Sequence, residues 1–212
     1  SMRNIYLASD SKARKKLLNI FEFKFRVLPS RIPQEKMSGK NYSEIVKANA
    51  LAKVRDVASR IKSGVVIGAD TIVVCGGKIF GKPKNLKDAR QMLKQLTAKP
   101  QWLYTGIAII DKDNRKTKID YEKTKVYMDK LSDKEIDKYF SVTSPLGKAG
   151  SFDIQGKGAF FIRRIEGCFY NVVGLPLRKL YRMLKELDIK IFVFLFSVSC
   201  LLSFAGCSTE YN

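Results

Sequence analysis

Apolar residues recur along this chain in two periods, and one stretch stands apart. Val65-Val66-Ile67-Gly68-Ala69-Asp70-Thr71 is an apolar run, rich in β-branched residues, that ends in a glycine, a small residue, an acid and a hydroxyl. Such a run predicts a buried strand, and its polar end falls where an open α/β sheet takes its ligands. Asp70 is therefore the leading candidate for chemistry, although a single Gly-x-Asp-Thr also suits an aspartate that only caps a turn.

Around it, strand and helix patterns alternate. Ile5-Tyr6-Leu7-Ala8 predicts a short strand running into Ser9-Asp10-Ser11, and 12–21 carries Leu17, Leu18 and Phe21 at helical spacing. A strand, a hydroxyl-rich turn and a helix start can together hold an anion, with Ser9, Ser11 and Arg14 beside the backbone N–H groups. Read alone, Ser11 is equally an N-cap and Arg14 a surface cation. Phe23, Phe25 and Val27 predict a second strand, and a loop follows around Pro29, Pro33 and Gly39. An amphipathic helix containing Lys53 is expected over 43–61, then a strand over 65–74, a Gly76-Gly77 turn and a short strand at Lys78-Ile79-Phe80.

Gly81-Lys82-Pro83 pins a lysine between two backbone-restricting residues, which can aim an ammonium group or simply make a turn. Asn85 and Asp88 cap a helix through Leu96; strands are expected over 102–110 and 117–128; Ser132 and Glu135 form a capping box for a helix to about 140. The stretch 145–158 holds four glycines and suits close backbone approach to a ligand. A strand over 160–165 and a helix from Pro176 to about 187 complete one compact α/β unit over 2–187.

Composition narrows the chemistry. The 212 residues include no histidine, which excludes Ser-His-Asp and Cys-His catalysis and any His-ligated metal. Carboxylates, lysines, arginines and hydroxyls remain, a set suited to phosphate and a divalent cation. A formal net charge of +20 points to a polyanionic partner. The lysines are dispersed and no aromatic-basic module is legible, which argues against nucleic acid. Cys75, Cys168, Cys200 and Cys207 match no zinc spacing and read as buried thiols of a reducing compartment.

The segment 188–212 differs from the rest. Ile191 to Leu202 is almost wholly apolar and Phe204-Ala205-Gly206-Cys207 follows. It reads as a fused remnant of a neighbouring frame, a tail anchor that would tether the chain through 191–207, or an extra packed element. Without a tether, a cytoplasmic location is expected.

Taken together, Leu7-Ala8-Ser9-x-Ser11-x-x-Arg14-Lys15-x-Leu17-Leu18, Ile67-Gly68-Ala69-Asp70-Thr71, Gly81-Lys82-Pro83, Lys148-Ala149-Gly150-x-x-x-Ile154-Gln155-Gly156 and Val173-Gly174-Leu175-Pro176-Leu177 resemble the Maf family of septum-formation-associated nucleoside triphosphate pyrophosphatases. The resemblance implies a two-lobed α/β fold around a long mixed sheet, related to inosine-triphosphate pyrophosphatases, with the nucleotide in a cleft between the lobes. It implies hydrolysis of a nucleoside triphosphate to monophosphate and pyrophosphate with Mg²⁺ or Mn²⁺, and a homodimer. Asp70 would orient or deprotonate water and help hold the metal. Lys53 and Lys82 would join it in catalysis, Ser9, Ser11 and Arg14 would face the phosphates, and Thr71 and Gln155 would select the base. That last pair resembles the branch acting on dTTP and UTP; the branch acting on 7-methyl-GTP has a glutamate and a glutamine at the two positions.

Three departures accompany the resemblance. Ala13 stands where the family has the first of two arginines, Pro33-Gln34 where an acid is expected with Glu35 nearby, and Leu51 where one lysine of a pair is expected. The alternative they raise is a catalytically weakened nucleotide- or nucleic-acid-binding member with a cell-division role.

Overall fold

The computed structural model describes residues 3–32 and 41–189. Strands β1 (Ile5–Leu7), β2 (Arg26–Val27), β3 (Val65–Cys75), β4 (Lys78–Phe80), β5 (Gln101–Asp111), β6 (Lys116–Met128) and β7 (Ile162–Glu166) form one sheet. Its order is β2-β1-β3-β5-β6-β7, with β4 also on β3. Among the described residues only β1 makes parallel pairs, with β2 and β3, so the sheet is mixed. Helices α1 (Lys12–Leu18), α2 (Tyr42–Ser59), α3 (Leu86–Ala98), α4 (Asp133–Val142), α5 (Phe169–Val173) and α6 (Leu177–Glu186) cover it.

The two lobes arise because β3 is long enough to serve two cores on each face. Val65, Ile67 and Ala69 pack with α1 and α6. Beyond them Val73 and Cys75 pack with α3 and α4. On the other face α2 spans both halves, with Ala50 and Val54 against Val66 and Ala108, and Ile45 and Val46 against Ile72 and Val74. Two glycines let α2 lie this close: a Cβ on Gly106 would collide with the Val46 carbonyl, and one on Gly68 would stand 2.5 Å from Val54 Cγ1.

Element kinds follow the sequence reading; several boundaries do not. The first helix tightens to a 3₁₀ turn at Asn19–Phe21, because Glu22 turns left-handed behind it. The expected strand at Phe23–Val27 shortens to Arg26–Val27, since Phe23 and Phe25 pack onto the core as side chains without joining the ladder. The strand expected over 160–165 begins at Ile162, after a 3₁₀ turn at Lys157–Phe161. Helix α5 was not signalled; five residues are too few to show a period. Cys75 is buried as expected, but Cys168 is only half-buried, at the N-terminus of α5. Cys200, Cys207 and the apolar tail over 191–207 lie outside the described residues, as do Pro33-Gln34 and Glu35.

Helix α6 closes in a Schellman arrangement: Asp188 turns left-handed at φ 54°, its N–H donates to the Lys185 carbonyl, and the Ile189 N–H donates to the Leu184 carbonyl. Ile189 is thereby buried in the same cluster as Leu184, so packed chain continues to 189.

Candidate active site

The site forms where the sheet is interrupted. β1 pairs with β3 through Ile67 and β4 pairs with it from Val73, so between them, among the described residues, the outer edge of β3 has no strand beside it. Asp70 and Thr71 occupy that bare edge. Because successive residues of a strand face opposite ways, Asp70 points toward α2 and Thr71 toward α1, and a cleft of about 730 Å³ opens around both.

Asp70 is 2% exposed. Its Oδ1 accepts a hydrogen bond from Lys53 Nζ at 2.7 Å and its Oδ2 one from Asn49 Nδ2 at 2.9 Å. Asn49 and Lys53 are four apart on α2 and so share one face of it. Burial pushes the Asp70 carboxyl pKa up, but the Lys53 ammonium, both hydrogen bonds and the Arg14 guanidinium outweigh it and hold the group below the ordinary carboxylate range. At neutral pH Asp70 is an anion aimed into a cation-lined cleft.

The opposite wall comes from the turn after β1 and from α1. Ser11 caps α1, accepting from the Arg14 N–H at 3.4 Å. The Arg14 side chain then folds back: Nε donates to the Gly174 carbonyl at 2.9 Å, Nη1 to Ser9 Oγ at 3.3 Å and Nη2 to Thr71 Oγ1 at 3.0 Å. Thr71 Oγ1 also lies 2.9 Å from Thr105 Oγ1, which is buried. Arg14 thus ties the turn to β3 and to the loop before α6.

The third wall is the glycine-rich stretch. The Gly150 N–H donates to the Gly81 carbonyl at 3.0 Å and joins that stretch to the Lys82 turn. Asp153 Oδ1 accepts the Gln155 N–H at 3.0 Å, while its Oδ2 lies 3.3 Å from Lys148 Nζ. The Asp153 N–H donates to the Tyr139 hydroxyl at 3.1 Å, and burial raises the pKa of that phenol to about 12, so it is neutral at physiological pH. At Gly158 any Cβ would stand 2.5 Å from the Asp153 carbonyl oxygen, which fixes glycine there.

Of the residues the sequence singles out, Ser11, Arg14, Lys53, Asp70, Thr71, Lys82 and Gln155 all line the cleft. Ser9 does not; it stands behind as a support for Arg14 and for the Ser11 N–H. Ala13 lines the cleft, so an arginine there would face it. Leu51 packs with the α2 cluster instead. Sequence reasoning missed Asn49, although a polar residue inside the apolar stripe of the second helix was a usable signal. It also missed Lys12, Lys16 and Lys148, which make the cleft strongly positive, and the acids Asp10 and Asp153 that line it.

Among the described residues no group of three or more Asp, Glu, Cys or His could cage a metal ion. A hard cation that arrives on a triphosphate asks less, one or two protein carboxylates with phosphate oxygens and water completing its shell. The Asp70 carboxylate has the chemistry for one such contact, since each of its oxygens has a second lone pair beyond the one Lys53 or Asn49 occupies.

Known proteins similar to this chain extend over most of its length. The chain is 44% identical over 192 residues to the dTTP/UTP pyrophosphatase of Ruminiclostridium cellulolyticum, covering 90% of this chain and 99% of that protein. It is 42% identical to the dTTP/UTP pyrophosphatase of Carboxydothermus hydrogenoformans, covering 86% and 97%. Among solved structures, a HAM1 protein from Coxiella burnetii aligns at TM-score 0.45 and 15% identity over 61% of this chain and 75% of that one. The family described as Maf-like protein matches residues 4–187, and the chain belongs to it.

Proposed function

We propose that this chain hydrolyses nucleoside triphosphates, dTTP and UTP foremost, to the monophosphate and pyrophosphate. The observation that carries the reading is the ionised, buried Asp70, fixed by Lys53 and Asn49 at the bare edge of β3 and facing a cleft lined by lysines and Arg14. The relatives' activity supports the same substrate class.

Water attacks the α-phosphorus, the bond from that phosphorus to the bridging oxygen breaks, and pyrophosphate leaves with the electron pair. Asp70 accepts a hydrogen bond from the attacking water and orients it; a carboxylate held at low pKa positions a proton better than it stores one, so the proton passes on to solvent. Lys82, Arg14 and Lys148 offset charge on the phosphates. A divalent cation bound by Asp70 and the triphosphate would add charge neutralisation at the leaving group. Gln155, carrying one acceptor and two donors on a neutral amide, matches a pyrimidine edge.

A product-resolved assay with Mg²⁺ or Mn²⁺ against dTTP, UTP, CTP, 7-methyl-GTP and ITP tests this. Pyrophosphate release strongest with dTTP or UTP is expected, and Asp70→Asn should lower turnover on the order of a hundredfold or more. Silence across the panel from a chain that still binds nucleotide would overturn the enzymatic reading in favour of a binding role.

A further inference from the structure

The face of the sheet that α2 covers carries a second feature, outside the cleft. Alternation along β5 and β6 places Trp102 opposite Lys125 and Tyr104 opposite Lys123 on one face, and β7 adds Arg164 opposite Tyr127. Here the cations lie over the rings. Lys123 Nζ is 5.3 Å and Lys125 Nζ 5.5 Å from the Trp102 ring centre; Lys125 Nζ is 5.1 Å and the Arg164 guanidinium 4.5 Å from that of Tyr127. Helix α2 covers the same face over β3 and its margin, where Tyr104 and Tyr121 stack at 6.5 Å. Trp102 packs at the edge of that α2 cluster and is half-buried; past it Lys123 and Arg164 are exposed, and Lys125 and Tyr127 half-buried. None of these residues lines the cleft.

We propose that this face binds single-stranded nucleic acid. Flat rings flanked by flexible cations are what such strands require: bases stack on the rings with little regard to sequence, and ammonium and guanidinium groups take the phosphates. The cations now shield the rings and can swing onto a phosphate when a base replaces them. Glu166 is the opposing charge; it holds the Tyr127 hydroxyl at 3.1 Å and Arg164 at 2.7 Å, and one acid among three cations leaves the strip positive. The same excess disfavours a second copy of the chain, which would bring like charges together, and the rings distinguish the strip from a surface made only for charge.

The test is fluorescence anisotropy of the full chain with a labelled, unphosphorylated oligodeoxyadenylate of about ten nucleotides, in low salt and in excess dTTP to occupy the cleft. Binding should persist in dTTP. Tyr127→Ala should weaken it about tenfold through the missing stacking platform. Lys123→Gln with Lys125→Gln should flatten the dependence of log Kd on log salt by about 0.7 for each phosphate that is no longer neutralised. Triphosphate hydrolysis should be unchanged in both variants, which also reports that they fold. Four results would each overturn the proposal: no binding, displacement by dTTP, equal affinity for duplex of the same length, or binding by anionic lipid vesicles at least as strong and indifferent to Tyr127→Ala.

Discussion

Lys53 Nζ sits 2.7 Å from Asp70 Oδ1, and the pair joins the middle of α2 to the stretch of β3 that lies between its pairings with β1 and β4. Both partners are largely buried, with side chains 14% and 3% exposed. Burying two charges costs solvation that mutual attraction recovers only when both are present. The pair therefore fixes the candidate carboxylate and joins α2 to the cleft.

Removing one partner should show this directly. Lys53→Met leaves a buried, unpaired carboxylate and should cost roughly 3 kcal/mol at neutral pH. Asp70 has its folded pKa depressed, so the pair's contribution is present above the unfolded value, 3.8, and is lost as pH falls through the lower folded value. In the variant burial is no longer opposed by Lys53 and Asp70 protonates more readily. Urea denaturation of both proteins should give a gap that is widest near neutrality and closes below about pH 4; a gap independent of pH would mean that the loss is one of packing.

The glycines under α2 predict an order of severity. At Gly106 an added methyl meets backbone, the Val46 carbonyl, whereas at Gly68 it meets the end of the Val54 side chain, which can turn away. Gly106→Ala should destabilise by about 1–3 kcal/mol, and Gly68→Ala by less. Since Asn49 and Lys53 ride on α2, Gly106→Ala should also lower turnover in protein that remains folded. Thermal melts paired with steady-state kinetics check both.

Gln155 should govern base choice. Gln155→Glu keeps size but adds a negative charge that repels the carbonyl acceptors of thymine and uracil. We expect kcat/KM for dTTP and UTP to fall at least tenfold, with 7-methyl-GTP, whose base is cationic, suffering least; a uniform fall across all five nucleotides would deny Gln155 that role.

Truncation should show what the cap of α6 contributes. A version ending at Ile189 keeps that cap and the buried isoleucine. One ending at Leu187 loses both, at a cost of about 2 kcal/mol. Equal melting temperatures for the two truncations would show that the cap contributes nothing.

Local chemistry made much of this legible from sequence. The apolar run at 65–74, the capping residues Ser11, Asn85 and Ser132, and the Gly76-Gly77 turn act over a few residues, and each formed as its pattern predicts. The bounds of Arg26–Val27 and the existence of Phe169–Val173 were not legible, because both are held by distant partners more than by their own periodicity. The sequence by itself determined the kinds and order of the elements apart from α5 and the 3₁₀ turns, the lack of histidine chemistry, and the candidates Asp70, Lys53, Lys82, Arg14 and Gln155. Tertiary structure alone decided that β1 leaves β3 at Ile67 before β4 joins at Val73, which opens the cleft; that Asn49 reaches Asp70; that Ser9 backs Arg14 instead of facing the cleft; and that Trp102, Lys123, Lys125, Tyr127 and Arg164 share one face. The physical reason is strand register: which side chains become neighbours across a sheet depends on pairings between segments tens of residues apart, and no local pattern encodes them.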